Sequence, residues 1–276
     1  MDDRLRPEPV SAVGRGARPG FRRHEHGALE LLRLHVEALF TCDAEGRLVR
    51  VNEPAGAAAP RVFVGVCPEG VRAWYRRDLE PEAVRDLEEL CDAFPPGSGP
   101  GPRFGLGWHL GPGSGSGSPS GSRGTPESPL VRRLAESAPV TKVWTGPAFR
   151  FPREIRTAGS VVSVTRANAA VLEPLFSDWL EDLGRDPPFV AVLRDGKAVS
   201  ICCSVRVTDQ AHEAGVETHP DFRGRGYAAE AAAAWAGRVR ETGAIPLYST
   251  SWINTASLAV AKKLGLVQFA EDLHMT

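Results

Sequence analysis

A strand, a proline, a turn with two glycines and an alanine-rich helix follow one another directly between residues 215 and 241. In the turn, Gly224 and Gly226 alternate with Arg223 and Arg225. Because glycine has no Cβ, backbone amides there can approach a ligand closely, and the positive end of the helix dipole favours an anion. The two arginines add fixed positive charge. The pattern therefore predicts a phosphate site, most naturally for a pyrophosphate, at the start of a helix.

Strands and helices alternate through the second half of the chain. Asp195-Gly196 suits a type I′ turn and predicts a hairpin between strands at 189–194 and 197–207. Thr165 is an N-cap candidate for a helix that ends at Gly184, and Pro174 inside it forces a kink or a new start. We also predict strands over 160–164, up to 219, over 245–251 and over 267–272, and helices over 226–241 and 254–264. This order predicts an α/β (α+β) fold with a mixed sheet that has a parallel part.

A window rich in glycine, proline and serine divides the chain. Between Pro95 and Pro129, 26 of 35 positions are one of these three residues. Such a composition is typical of a flexible linker. We predict four segments: a disordered N-terminus over 1–25, a small α+β unit over 26–94, a linker over 95–129 and the main domain over 130–276.

The small unit shows its own periodic patterns. Leu29, Leu32, Val36 and Leu39 recur at helical spacing and predict an amphipathic helix. Valines at 62, 64 and 66 alternate with other residues and predict a strand, which turns into a second strand over 71–79. Pro81 suits a first helical position, and Val84, Leu87, Cys91 and Phe94 share one face of the helix that follows.

Charge and cysteine content exclude several classes of protein. The formal net charge of −1 gives no electrostatic support for binding nucleic acid or a membrane surface. An odd number of cysteines without CxxC spacing argues against a disulfide framework and against a zinc site, so we expect no metal. The N-terminus has no apolar leader segment, and no apolar run is long enough to span a bilayer. We expect a cytoplasmic protein with the five free cysteines Cys42, Cys67, Cys91, Cys202 and Cys203.

Two motifs in the main domain resemble those of a known superfamily. The sequence from Arg223 to Ala228 looks like the R/Q-x-x-G-x-G/A signature of the GNAT superfamily of acyl-CoA-dependent N-acyltransferases. Thirty residues further on, the sequence from Asn254 to Leu266 resembles that superfamily's N-x-x-[AS]-x-x-x-[YA]-x-K-L-G-F helix. The resemblance covers roughly residues 160 to 276. The sequences around the two motifs are also similar to those of a bacterial branch that includes antibiotic self-resistance acetyltransferases.

The resemblance implies a fold in which two parallel strands splay apart and acyl-CoA lies in the notch between them. The backbone of the strand at 216–218 pairs with the pantetheine, the amides of the glycine turn hold the pyrophosphate, and Asn254 bonds the pantetheine arm. A plain helix N-cap is the alternative for Asn254. The implied binding residues are Val216, Thr218, Arg223, Gly224, Arg225, Gly226, Tyr227, Ala228 and Asn254.

Amine acylation needs a base for the ammonium, a donor for the oxyanion and an acid for the leaving thiolate. Glu217 is our preferred base, directly or through a water, although a carboxylate that merely pairs with an arginine is as good an interpretation. Many relatives use a tyrosine as the acid where this chain has Ala261, so Tyr248, Ser257 or solvent must protonate the thiolate. Backbone N–H groups of the same strand would serve the oxyanion. The reserve bases are Glu213, His212 and His219.

We predict an N-acetyltransferase that moves an acetyl group from acetyl-CoA directly to a primary amine. A non-catalytic acyl-CoA-binding module is the alternative. A dinucleotide-binding protein is a third possibility, because Gly224-x-Gly226-x-x-Ala229 also fits a loose fingerprint for that class.

The last strand looks too short for the superfamily, so we expect the N-terminal unit to complete the sheet or the wall of the substrate site.

Several aromatic and thiol side chains have a structural interpretation. Cys202 and Cys203 are expected to face opposite sides of one strand as small core residues. Trp179 and Trp235 are expected to pack in the core, whereas Trp252 is equally compatible with the core and with a substrate site.

Overall fold

The computed structural model describes residues 26–93, 128–155 and 161–276. The predicted N-terminal segment, most of the predicted linker, Phe94 and Ser160 lie outside the described residues. Within the described ranges, no helix combines the length and the apolar composition needed to cross a membrane.

Eleven strands occur in the described ranges, and nine of them form one sheet in the order β4-β3-β11-β5-β10-β9-β8-β7-β6. The first two form a separate antiparallel pair. All neighbours in the large sheet are antiparallel except β9 and β10, which run parallel. The strands are β1 Phe40–Cys42, β2 Leu48–Val51, β3 Val62–Cys67, β4 Gly70–Tyr75, β5 Val143–Arg150, β6 Val161–Ser163, β7 Phe189–Arg194, β8 Lys197–Val207, β9 Ala211–Thr218, β10 Ile245–Ser249 and β11 Val267–Met275.

Five α-helices accompany the sheet: α1 Ala28–Leu39, α2 Pro81–Asp92, α3 Pro129–Ala135, α4 Tyr227–Thr242 and α5 Thr255–Leu264. The mixed α/β fold class is confirmed. So is the hairpin turn, since both Asp195 and Gly196 have the positive φ that a type I′ turn requires, at 50° and 76°.

The predicted helix from Thr165 to Gly184 is wrong. Thr165 does form a capping box with Asn168, but the segment that follows is only a 3₁₀ helix over Arg166–Leu172, and a second one covers Ser177–Trp179. Asn168 itself has non-helical backbone angles, and Pro174 offers no amide to continue the hydrogen-bond ladder.

The N-terminal hairpin of β3 and β4 extends the main sheet, as predicted. Strand β3 pairs with β11 from Val62 to Val66, and the other side of β11 pairs with β5. Strand β11 also reaches Met275, so it is longer than the predicted 267–272. The short β1–β2 pair was not predicted, because neither strand is long enough to show a period.

Helices cover both faces of the sheet. On one face, α4 packs its alanines and Trp235 over β5, β7, β8 and β10, while α2 and α3 cover the N-terminal hairpin and the end of β11. On the other face, α1 covers β3, β5, β10 and β11, and the 3₁₀ segments cover β7 and β8. Cys202 belongs to the first face and Cys203 to the second, and both are buried, as predicted.

A buried charged network fixes α1 to the sheet. The ring of His35 lies between two carboxylates, with Nδ1 at 2.5 Å from Oε1 of Glu213 and Nε2 at 2.7 Å from Oδ2 of Asp272. All three side chains are at most 3% exposed. Burial alone would lower the pKa of His35, but the charges and hydrogen bonds of Asp272 and Glu213 outweigh it and raise this pKa to about 10. The ring is therefore an imidazolium that donates both N–H groups.

The packing of α1 can be tested by shortening Leu32, which is fully buried and contacts the sheet where Gly65 leaves room for it. We expect Leu32→Ala to lower the free energy of unfolding by about 2–5 kcal/mol, since it leaves a cavity between helix and sheet. Arg33→Ala, on the exposed side of the same helix, should cost less than about 1 kcal/mol. Urea denaturation measures both, and equal losses would contradict the docking of α1.

The buried network predicts a dependence of stability on pH. Folding raises the pKa of His35, so its contribution is complete below about pH 6.5 and declines as the pH rises toward the folded value of about 10. We expect the free energy of unfolding, measured in urea between pH 6.5 and 8, to fall with pH more steeply in the parent than in His35→Gln. His212, whose pKa is lowered chiefly by burial, is present in both chains and cancels in the comparison. His274 is also present in both, but the charge of His35 contributes to its lowered pKa, so its titration is followed separately by NMR in each chain. Parallel pH profiles would refute a charged His35.

Candidate functional site

The two parallel strands of the sheet stay together for only three residues. Strand β10 pairs with β9 at Ile245–Ala211, Pro246–His212 and Leu247–Glu213. Beyond this point β9 continues along β8, while β10 continues along β5. The edge of β9 that faces β10 therefore has backbone groups without a strand partner, and a notch opens between the strands. The splayed pair that the superfamily resemblance implied is present.

A cradle of backbone amides lies at the end of β9. Gly224 and Gly226 have φ values of +76° and +87°, a conformation that favours glycine, and Gly226 is the N-cap of α4. Across the described part of the chain, no acceptor is bonded to the backbone amides of residues 224–228. These amides and the positive end of the α4 dipole form a site with the geometry that an anion needs.

Three cationic side chains surround this cradle. Arg223 and Arg225 are exposed, and each is oriented by a backbone carbonyl, with Nε of Arg223 at 3.1 Å from the oxygen of Thr218 and an amino group of Arg225 at 3.2 Å from that of Asp221. Lys263 arrives from the last turn of α5, and its Nζ occupies the place that a Cβ on Gly226 would need. The two sequence motifs therefore meet in space at the cradle.

A groove of about 580 Å³ runs from the notch to the cradle. The strand residues Val216, Glu217 and Thr218 line one wall, the start of α4 lines the end, and α5 lines the other wall. Asn254 lies at the rim and caps α5, since its Oδ1 accepts from the amide of Ser257 at 3.0 Å. The plain capping interpretation of Asn254 is thus true, and it does not exclude binding through the side-chain amide.

Tyr227 and Ala228 line the groove at the first turn of α4. The Tyr227 hydroxyl accepts from Nε of Arg194 at 3.0 Å, and the Arg194 guanidinium lies 4.3 Å from the centre of the tyrosine ring. Because this side chain is occupied by Arg194, Tyr227 offers the groove its backbone amide.

Two hydroxyl groups meet in the wall of the groove below the notch. The Tyr248 hydroxyl lies 2.5 Å from Oγ of Ser257, so the two predicted acid candidates form one hydrogen-bonded pair. Burial is the main reason why the pKa of Tyr248 is raised, and this keeps its proton in place at neutral pH. Ala261, one turn beyond Ser257 on α5, is buried in the core below the groove.

Glu217 projects to the opposite face of the sheet from α4, because its neighbour Val216 packs toward α4. Its Oε2 accepts from the indole Nε1 of Trp179 at 2.8 Å. Trp179 and Cys203 also line a second pocket, of about 380 Å³, on that face. Glu217 therefore lines the groove, and its carboxylate is bonded to Trp179, which lines the pocket on the other face.

The three reserve bases have different surroundings. His212 is buried beneath α4 and its Nδ1 lies 2.9 Å from the hydroxyl of Ser204. Glu213 is bound to His35 in the buried network, and its Oε2 accepts from the hydroxyl of Ser249 at 3.3 Å. The Nδ1 of His219 lies 3.8 Å from the carboxylate of Asp221, beside the turn. These three side chains do not line the groove.

Sequence reasoning missed Lys263 and Trp179. Lys263 belongs to the second motif, directly before Leu264 and Gly265. Its fixed position in that motif could have indicated a role in the site. Trp179 was expected to pack in the core, and it does pack against Phe189, but its indole also holds Glu217. Trp235 is fully buried, as predicted, and Trp252 donates to Oε1 of Glu271 at 2.8 Å.

Solved structures that are similar to part of this chain are distant from it in sequence. A GNAT-family protein from Novosphingobium aromaticivorans is 19% identical, with 49% of this chain and 65% of that chain covered and a TM-score of 0.42. A GNAT-family acetyltransferase from Colwellia psychrerythraea is 13% identical, with 49% and 57% covered and a TM-score of 0.38. This chain thus spans less than two thirds of the length of either. A GCN5-related N-acetyltransferase-like protein from Streptococcus suis is 19% identical, with 53% of this chain and 68% of that chain covered and a TM-score of 0.40.

No curated protein matches the chain. A family model does match it over residues 187–271, which include the hairpin of β7 and β8, the notch, the amide cradle and both sequence motifs. That model describes the GNAT acetyltransferase family, so residues 187–271 form a GNAT acetyltransferase domain.

Proposed function

We propose that the chain is an N-acetyltransferase that transfers an acetyl group from acetyl-CoA directly to a primary amine of a small molecule or peptide. The observation that carries the proposal is the position of Glu217, which lines the groove that ends at the anion cradle and is bonded to Trp179, a residue of the pocket on the opposite face of the sheet. An acyl donor and an amine can then meet at the notch from two sides.

The groove fits the acyl donor. A pyrophosphate would bind to the free amides of residues 224–228, with Arg223, Arg225 and Lys263 as counter-charges. The amide-rich pantetheine arm would pair with the open edge of β9 at Val216 and Thr218 in the way that a strand does. Asn254 at the rim has a side-chain NH₂ group with which to bond the same arm.

The pocket on the other face fits an amine. The N-terminal unit contributes Glu53, whose carboxylate pairs with Arg206 at 2.6 Å, and Asp182 pairs with Arg185 at 2.5 Å. Asp186 also lines the pocket, and no cationic side chain of the described ranges pairs with it. One carboxylate in excess beside Trp179 favours a cationic substrate.

Glu217 would act as the base for this amine. Its carboxylate takes a proton from the ammonium, directly or through a water, and the nitrogen lone pair then attacks the thioester carbon. Trp179 limits the orientations of the carboxylate through the hydrogen bond from its indole. Backbone N–H groups on the open edge of β9 would donate to the oxyanion of the tetrahedral intermediate.

The Tyr248–Ser257 pair would supply the proton that the leaving thiolate needs. As the carbon–sulfur bond breaks, the thiolate takes a proton from one hydroxyl of the pair, the other hydroxyl stabilises the resulting anion by its hydrogen bond, and the pair regains its proton from solvent. The raised pKa of Tyr248 keeps the pair protonated in the resting state. The pair lies in the groove wall close to the place where relatives carry a tyrosine and this chain has Ala261.

The missing tyrosine at position 261 favours one second candidate, a non-catalytic module that binds acyl-CoA. Thiol release from acetyl-CoA over a panel of mono- and polyamines separates the two. Turnover of at least one amine supports the enzyme, and saturable acetyl-CoA binding without thiol release from any amine supports the module. Stabilisation by NAD and not by CoA would instead support a dinucleotide site.

Replacing the proposed base should affect chemistry more than binding. We expect Glu217→Gln to lower kcat by about 10²–10⁴-fold with little change in the Kd of acetyl-CoA, since glutamine keeps an acceptor for Trp179 but takes up no proton. Part of the loss should be recovered at high pH, where more of the amine is already neutral. Steady-state kinetics and calorimetry measure both quantities. Glu241→Gln, an exposed carboxamide substitution on α4, is the control, and an equal effect in both variants would reject Glu217 as the base.

The cradle can be tested with two adjacent lysines. We expect Lys263→Gln to weaken CoA binding by about tenfold, because it removes a charge that lies against Gly226 at the phosphate site. Lys262→Gln removes the same charge one position earlier, on an exposed side chain that does not line the groove. Titration calorimetry at two salt concentrations compares them. Equal affinities in the two variants would show that Lys263 does not contact the phosphates.

A further inference from the structure

The buried network lies at a particular place in the sheet. Glu213 belongs to the last paired position of β9 with β10, directly before the strands part. Its Oε1 is held by His35, and its Oε2 accepts from Oγ of Ser249, two residues beyond the last paired residue of β10. The Glu213–Ser249 hydrogen bond therefore spans the notch at its base, where the backbone hydrogen bonds between the strands have ended.

The orientation of Glu213 depends on His35. The imidazolium uses one N–H on Glu213 and the other on Asp272 of β11, so the ring cannot rotate without losing a charged hydrogen bond. The edges of Phe63 and Phe269 contact the same ring, with centroids 6.3 and 6.0 Å away. These contacts hold the ring in place, and the Glu213 carboxylate is bonded at both oxygens, to His35 and to Ser249.

The other titratable groups near the ring keep the charge on His35. From β11, His274 lies beside the network, and burial, together with the charge of His35, lowers its pKa to about 4, so it is neutral at physiological pH. Glu213 comes from β9 and Asp272 from β11, while β3 contributes Phe63. Among the described residues, His35 is the cation that bonds both carboxylates, while the charge of Lys142 acts on His274.

We propose that His35, which lies outside the matched GNAT segment, is a positioning residue for the notch: it fixes Glu213, and through Glu213 it fixes Ser249 and the point at which β9 and β10 part. The inference rests on the proposed function for its kinetic test and on the geometry alone for its structural test. Helix α1, which carries His35, then contributes to the geometry of the site, and the 187–271 segment depends on α1 for that geometry.

Two variants test the two ends of the path from His35 through Glu213 to Ser249. Ser249→Ala removes only the hydroxyl that spans the notch, at a partly exposed position, so we expect this variant to fold. His35→Gln removes the cation and can bond only one of the two carboxylates. Ser251→Ala, two residues further on, is the control, because its hydroxyl accepts from the amide of Ile253 at 3.3 Å and makes no hydrogen bond to Glu213.

Amide hydrogen exchange is the readout that does not require activity. We expect Ser249→Ala to speed exchange at least about threefold at residues 248–250 and at the open edge of β9, with the far strands β3 and β7 unchanged. His35→Gln should produce the same local increase. If exchange at the notch matches that of the Ser251→Ala control, the proposal is overturned, whatever the activity of the chain.

Kinetics provide the second readout. Each single variant should lower kcat on the best amine of the panel about fivefold or more, and the double variant should be no slower than His35→Gln alone, because both changes break one path. Multiplying effects, or a His35→Gln chain that is less stable but retains its kcat, would reduce His35 to a structural role. A parent chain without turnover on any amine would refute the proposed function, and the exchange measurement would still decide the role of His35.

Discussion

The architecture of this protein depends on how briefly β9 and β10 stay paired. Three residues of parallel pairing hold the two halves of the sheet together, and the remainder of each strand pairs with a different neighbour. This leaves a backbone edge open inside a sheet that is otherwise closed by hydrogen bonds. An open edge in a sheet interior is costly unless something binds to it. The site is thus a consequence of the strand arrangement.

Much of the domain could be predicted from local signals. The Asp195-Gly196 turn, the glycines at 224 and 226 and the alanine-rich helix each require a particular backbone, and each forms where it was expected. The prediction of a long helix after Thr165 was wrong. The cap at Thr165 favours a helix, but Asn168 and Pro174 prevent an α-helix from continuing. A cap signal states where a helix can start and carries no information about its length.

The contacts that complete the site could not be predicted in this way. His35 is separated from Glu213 by 178 positions and from Asp272 by 237, and a single histidine within an amphipathic helix gives no sign of either partner. Trp179 comes from a segment without a regular period, so nothing in the sequence directs its indole to Glu217. Such pairings follow from the sheet order, which is itself the result of long-range packing.

The position of β11 has a consequence for how the chain folds. This strand, late in the sequence, lies between β3 and β5, which are made much earlier and pair with it on opposite sides. The N-terminal hairpin therefore cannot join the sheet during synthesis until residues 267–275 have emerged from the ribosome. Until then the apolar residues of β3 and α1 can be covered only by early elements such as β4 and α2. Because the pairing of β3 with β11 joins distant parts of the sequence, it raises the contact order and slows folding, and the early hairpin stays without its β11 partner until synthesis is nearly finished.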